Sequence, residues 1–200
     1  MTRARGVAAA ALSLAFAACS PQEVVVADLP PAPDGGGGAP PCVTDGDCPS
    51  NAFCARARCG DVGGRCESVP LLCGPERAPT CGCNGVTYWN DCLRRAGLVT
   101  ASTPGECSSG VACGGHDKLP CPVAGTSCAR LVARDRCGPG DDRGTCWMLP
   151  PTCGADPGPT FASCPSPPPA PPGSFTCVSA CEAIRSEKPF RALAPGASCP

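Results

Sequence analysis

Residues 80–92 read Thr80-Cys81-Gly82-Cys83-Asn84-Gly85-Val86-Thr87-Tyr88-Trp89-Asn90-Asp91-Cys92. Asn84-Gly85 is the strongest short hairpin signal, because both residue types tolerate positive φ. The pair predicts antiparallel strands near 80–83 and 86–88. Asn90 carries a carboxamide that can accept from the free N–H groups of a helix's first turn. It predicts a short helix running to about Ala96, with Gly97 able to end it. Tyr88 is the one large side chain placed to pack the hairpin on that helix. The stretch therefore predicts a small α+β unit of one short antiparallel hairpin and one short helix.

Composition says how such a unit is held together. Of 200 residues, 21 are Cys, 27 Pro and 25 Gly. Beyond residue 18 the aromatics are Phe53, Tyr88, Trp89, Trp147, Phe161, Phe175 and Phe190, and the one Ile is Ile184. So few large apolar groups cannot offset the conformational entropy of one large core. This argues against an α/β enzyme fold and for a small, loop-rich disulfide scaffold. Lys and Arg number 16 against 17 Asp and Glu, a net charge of −1. No basic stripe stands out, so no nucleic-acid partner is expected.

Residues 1–18 have a basic start (Arg3, Arg5) and a short apolar stretch from Val7 to Ala18. That is the layout of an export signal and too short for a membrane span. Two endings are open. Phe16-Ala17-Ala18-Cys19 resembles the bacterial lipobox, with Phe16 as a departure, and implies lipidation of Cys19. Ala15-Phe16-Ala17 also fits ordinary signal cleavage. Setting Cys19 aside leaves 20 cysteines, an even number that can pair fully. Ser20 follows Cys19, a pattern that implies outer-membrane sorting in a Gram-negative cell. Both endings place the chain in an oxidising compartment, exported and otherwise secreted or periplasmic. Residues 19–41, rich in Pro and Gly, read as a disordered tether.

The 20 cysteines divide into two sets of ten, one over 42–107 and one over 113–199. Their middles match. The first has Cys59-Gly60, Gly64-Arg65-Cys66, Pro70 and Cys73. The second has Cys137-Gly138, Gly144-Thr145-Cys146, Pro150 and Cys153. The match predicts an internal duplication into two tandem modules, with 108–112 as the linker. Neither module could fold on apolar burial alone, and five disulfides in each would supply the rest.

The quoted stretch, with seven residues between Cys73 and Cys81 and ten between Cys81 and Cys92, resembles the signature of Kazal-type serine protease inhibitors. Gly105-Glu106-Cys107 resembles that family's close, so the resemblance covers residues 66–107. It implies bridges Cys73–Cys92 and Cys81–Cys107. The family's fifth Cys is replaced here by Arg94, Arg95 or Ala96, and Cys83 stands in for it, implying Cys66–Cys83. The resemblance also implies a rigid, substrate-like loop of Gly74, Pro75, Glu76, Arg77, Ala78 and Pro79, with Tyr88 and Asn90 as support. Pro75 would enter the protease's specificity pocket. Its ring is short, its φ fixed and its N–H missing, which argues against strong inhibition of trypsin-like or chymotrypsin-like enzymes.

Cys42, Cys48, Cys54 and Cys59 ahead of this part resemble, in count and order, the ten-cysteine plan of follistatin-like modules. That plan implies Cys42–Cys54 and Cys48–Cys59, and in the second module Cys113–Cys128 and Cys121–Cys137. There, Cys177-Val178-Ser179-Ala180-Cys181 has the spacing of the family's helix, predicting Cys177, Cys181 and Ile184 on one face. The implied bridges are Cys146–Cys181, Cys153–Cys177 and Cys164–Cys199. The hairpin signature is missing, and the proline-rich 165–172 segment reads as an exposed polyproline stretch. The second module is thus a diverged copy.

Other chemistry has little to rest on. His116 is the one His and sits in a loop-like Gly114-Gly115-His116-Asp117. Cys81-Gly82-Cys83 lacks the paired spacing of a zinc site, so no metal and no cofactor is expected. No nucleophile elbow or phosphate loop occurs, so no enzyme is expected. The expected function is serine protease inhibition through 74–80. The competing expectation is a non-inhibitory follistatin-like module that holds a protein at the cell surface, with the membrane reached through Cys19. A passive envelope component is the third.

Overall fold

A computed structural model describes residues 39–132, 142–154, 161–164 and 176–194. Residues 1–38, with Cys19 and most of the expected tether, and the proline-rich 165–172 segment lie outside them. The end of the expected tether, 39–41, is instead part of the fold: the Pro40 carbonyl accepts from the Cys66 N–H at 2.9 Å, and Pro41 pairs with Arg65. The described part is small, disulfide-rich, mostly strand and loop, with two short helices.

Strands β1 (Pro41–Cys42), β2 (Ala52–Arg56) and β3 (Gly64–Ser68) form a sheet in the order β1-β3-β2. Next come β4 (Thr80–Gly82), β5 (Thr87–Tyr88), helix α1 (Asp91–Ala96) and β6 (Ala101–Pro104), with β4 central between β5 and β6. The same plan then repeats. Strands β7 (Ala112–Gly114), β8 (Thr126–Ala129) and β9 (Arg143–Met148) pair as β7-β9-β8. Strands β10 (Phe161–Ser163), β11 (Thr176–Val178) and β12 (Phe190–Ala192) pair as β11-β10-β12, with helix α2 (Ala180–Arg185) between the last two. Registers repeat as well. Cys54 faces Cys66 as Cys128 faces Cys146, and Cys42 faces Gly64 as Cys113 faces Gly144. Both glycines are forced by close backbone approach. A Cβ at Gly64 would lie 2.2 Å from the Ala55 carbonyl oxygen, and one at Gly144 would lie 2.3 Å from that of Ala129.

Four bridges join the pairs named above, Cys42–Cys54, Cys73–Cys92, Cys81–Cys107 and Cys113–Cys128. Five expected pairings are overturned. Cys48 joins Cys66, not Cys59, and Cys59 joins Cys83, so Cys66–Cys83 is not made. Cys121 joins Cys146, not Cys137, and Cys153 joins Cys181, so Cys146–Cys181 and Cys153–Cys177 are not made. The reason is that β3 and β9 are the central strands of their sheets. Their cysteines are covered by the loops that carry Cys48 and Cys121, whereas Cys59 lies at the far end of the β2–β3 hairpin. Counted within each half, the bridges shown for both are first to third, second to fifth and sixth to ninth. Cys164 and Cys177 are disulfide-bonded too, and Cys199 lies outside the described residues.

The segment expected as a linker, 108–112, is built into the fold. The Val111 N–H donates to Gly85 and its carbonyl accepts from Cys146, both near 3 Å, and Ala112 belongs to β7. Strand β5 pairs in parallel with β9, Thr87 opposite Trp147 and Tyr88 opposite Met148, making one six-stranded sheet from both halves. The main apolar cluster crosses the same seam. Trp89 and Leu93 pack with Trp147, Leu149, Phe161, Ile184 and Phe190. All six described aromatics are buried, so every large ring among the described residues is used in packing.

Local signals act much as read, with three differences. In the β4–β5 hairpin only Gly85 takes positive φ (+73°), and the Asn84 carboxamide accepts from the Val86 N–H instead, closing a longer turn between Gly82 and Val86. Helix α1 is capped by Asn90 and reaches Ala96, but the left-handed residue after it is Leu98 rather than Gly97. Cys177 lies in β11, not on the helix face with Cys181 and Ile184. In addition, β10 and β11 pair on either side of the proline-rich segment, so a strand pair persists where the hairpin signature is missing.

Candidate functional site

Gly74, Pro75, Glu76 and Ala78 are exposed, and Arg77 and Pro79 are partly so. The segment is pinned at one end by Cys73–Cys92 and at the other by Cys81–Cys107. Beneath it the Asn90 carboxamide works in two directions. Its Oδ1 accepts from the Leu93 N–H at 3.0 Å, capping α1. Its Nδ2 donates to the carbonyls of Gly74 and Glu76, each at 3.0 Å. Asn90 is buried, so these bonds are shielded from water. Between them the Trp89 indole N–H donates to the Pro75 carbonyl at 2.7 Å. Three successive carbonyls of the loop are therefore held from below, and the Ala78 N–H is held by the Trp89 carbonyl at 3.0 Å.

Arg77 is committed elsewhere. It forms an ion pair with Glu106 at 2.9 Å, and its guanidinium lies 5.5 Å from the Trp89 ring and 5.9 Å from the Trp147 ring. Such cation–π contacts restrain a side chain that would otherwise sweep freely. Pro75 meets the second half, because a Cβ at Gly154 would lie 2.7 Å from the Pro75 Cβ. Ahead of the loop, Leu71 and Leu72 stand 96% and 91% exposed.

Tyr88, expected as loop support, packs the hairpin on α1 and pairs with Thr80, in the strand that follows the loop. It is buried between Gly82 of the hairpin and Gly97 at the end of α1, and its hydroxyl accepts from the Asn84 Nδ2 at 3.0 Å. Burial raises its pKa above the ordinary tyrosine range, more than Asn84 and Arg94 lower it.

Two features escaped the sequence reading. Trp89 holds the loop, and its place beside Asn90 was the available signal. Arg94, two residues after Cys92, is buried and pairs with Asp91 at 2.6 Å and with Glu67 at 3.1 Å. Its guanidinium also donates to the Val99 carbonyl. Burial works against its charge, but Asp91 and Glu67 outweigh this, and its pKa lies above the ordinary arginine value. Glu67 neighbours Cys66, so an ion pair ties β3 to α1.

Two cysteine triplets, Cys42, Cys48, Cys66 and Cys113, Cys121, Cys146, have sulfurs close enough for a metal. Every one is in a disulfide and offers no thiolate. Cys81 and Cys83 are likewise oxidised. His116 is exposed. Among the described residues no helix is long and apolar enough to cross a membrane, and such extensive oxidation is typical of an extracellular or exported protein. No protein-family model matches the chain, and no curated protein or solved structure matches it either.

Proposed function

We propose that the protein is an exported, Kazal-like binding protein, made of two copies of one ten-cysteine unit. It presents residues 74–79 to the substrate cleft of a serine protease and blocks it, without being an enzyme itself. The observation that carries this reading is the Asn90 carboxamide, which donates to the carbonyls on both sides of Pro75. A loop already held extended loses little further entropy on binding, which is what a slowly cut, substrate-like inhibitor needs. The bridges at Cys73 and Cys81 would keep both ends in place after a cut. With proline at the specificity position, the matching enzymes are those that accept proline there. Residues 1–18 supply export, Cys19 the lipid and the stretch up to residue 38 the tether in this reading.

The test is a titration of the full-length protein against serine proteases, proline-specific ones included. Stoichiometric, slowly reversible inhibition is expected, and a folded protein that inhibits none of them sinks the proposal.

A second reading, a binding module without inhibition, is favoured by the hydrogen bond that already occupies the Pro75 carbonyl. The Pro75→Arg variant separates the two. Trypsin inhibition by that variant supports the inhibitor reading, and its absence in a folded variant supports binding alone.

A further inference from the structure

We infer that Trp89 is a latch on the Pro75 carbonyl and sets how strongly the loop engages a serine protease. The inference rests on the reading of 74–79 as a substrate-like loop.

An acyl-transfer enzyme must take the oxygen of the attacked carbonyl into its own pair of N–H donors. For a loop with Pro75 at the specificity position, that oxygen is the Pro75 carbonyl. Here it already accepts from the Trp89 indole, 2.7 Å away on the inner side of the loop. Asn90 holds the flanking carbonyls and would leave the middle one free to face an enzyme. Trp89 takes the middle one.

The indole cannot easily let go. Trp89 is 1% exposed. Its backbone N–H donates to the Met148 carbonyl at 2.9 Å, and its own carbonyl accepts from Ala78. Its ring meets Trp147 edge-on, 6.2 Å between centroids, and Arg77 lies over it. Turning the Pro75 carbonyl outward would leave a buried N–H without an acceptor, which costs far more than an ordinary exchange of hydrogen bonds with water. Met148 and Trp147 both belong to β9. The second half thus fixes the latch on the loop of the first. Trp89 is a positioning residue in this scheme and touches no reacting atom of the enzyme.

The experiment uses the full-length protein, its Trp89→Phe variant and, as a packing control, Trp147→Phe, which keeps the Trp89 N–H. The probe is a proline-specific serine endopeptidase. Both the inhibition constant and the rate of hydrolysis at Pro75–Glu76 are read. Trp89→Phe is expected to engage the enzyme at least ~10-fold more strongly than wild type, the scale of one unsatisfied buried donor. Trp147→Phe is expected to match wild type. The protein has two tryptophans, so Trp147→Phe also assigns the Trp89 indole resonance, whose N–H should exchange slowly with solvent. Equal engagement by all three proteins overturns the latch and leaves the loop reading standing. A rapidly exchanging Trp89 indole, or a gain shared by Trp147→Phe, also overturns the latch. Engagement by none of them overturns the loop reading, and the latch with it.

Discussion

The two helices occupy equivalent places and bury opposite chemistry. Helix α1 buries one side chain, Arg94, among Asp91 and Glu67. Helix α2 buries Ala180, Cys181, Ala183 and Ile184, and Phe161 and Phe190 join the same apolar cluster, edge-on to each other at 5.4 Å. The capping residues differ in the same sense. Asn90 caps α1 and also reaches the loop, while Ser179 caps α2 through a closed box with Glu182 and spends its hydroxyl there. One topology thus serves two tasks. The second half carries most of the oily core, and the first carries a loop held by polar groups.

The largest test of this contrast is at the seam. If the halves share one core, Trp147→Ala should cost about 3–5 kcal/mol and lower the unfolding midpoint of both halves together. Chemical denaturation followed by NMR would read it, and a first half that keeps its own transition would break the shared-core picture. Next is the repeated glycine. Gly64→Ala and Gly144→Ala should each cost about 2–3 kcal/mol, because a carbonyl oxygen must move in either case. Similar losses in denaturant midpoint support equivalent positions in the two halves, and a silent substitution at either breaks the equivalence.

Arg94→Met should cost about 2 kcal/mol, less than a fully buried pair because Glu67 and Asp91 remain partly exposed. No counterpart of it is described in α2. Asn90→Asp is milder for the fold, since the carboxylate still caps α1. It removes both donors to the loop, so ~1–2 kcal/mol of stability and faster proteolysis between Gly74 and Ala78 are expected in a limited digest. The smallest effect is at Leu98 and Glu187, each two residues past its helix and each at positive φ, 56° and 52°. Glycine at Leu98 should be neutral or stabilise by up to about 1 kcal/mol, while at Glu187 that gain is offset by loss of the Oε1 that accepts from the Cys128 N–H, both read as a shift in Tm.

Short-range features were legible. Asn84-Gly85 and Asn90 act through neighbours in the chain, and the hairpin and helix follow from them, whereas the Cys73–Cys92 and Cys81–Cys107 pairings were implied by the resemblance alone. The matched middles of the two cysteine sets correspond to β3 and β9. The bridges of Cys48, Cys59, Cys66 and Cys83 were not legible, because their partners depend on which strand lies at the centre of a sheet. The seam was hidden for a similar reason. A parallel pair such as β5 and β9 joins segments far apart in sequence and leaves no turn between them to read. That pairing brings Trp89 and Trp147 together.

The parallel pairing also sets an order of events during synthesis. A ribosome delivers residues 80–107 well before 143–148, so β5 waits with an unpaired edge and Trp89 without its cover. During that interval Cys81 and Cys107 are already present, while Cys113, Cys121 and Cys128 arrive next as rival thiols. The register Thr87 to Trp147 can form only once residues 143–148 are in place. The seam is therefore the later of β5's two pairings in the order of synthesis, and closing it brings β9 against the strand that precedes Trp89.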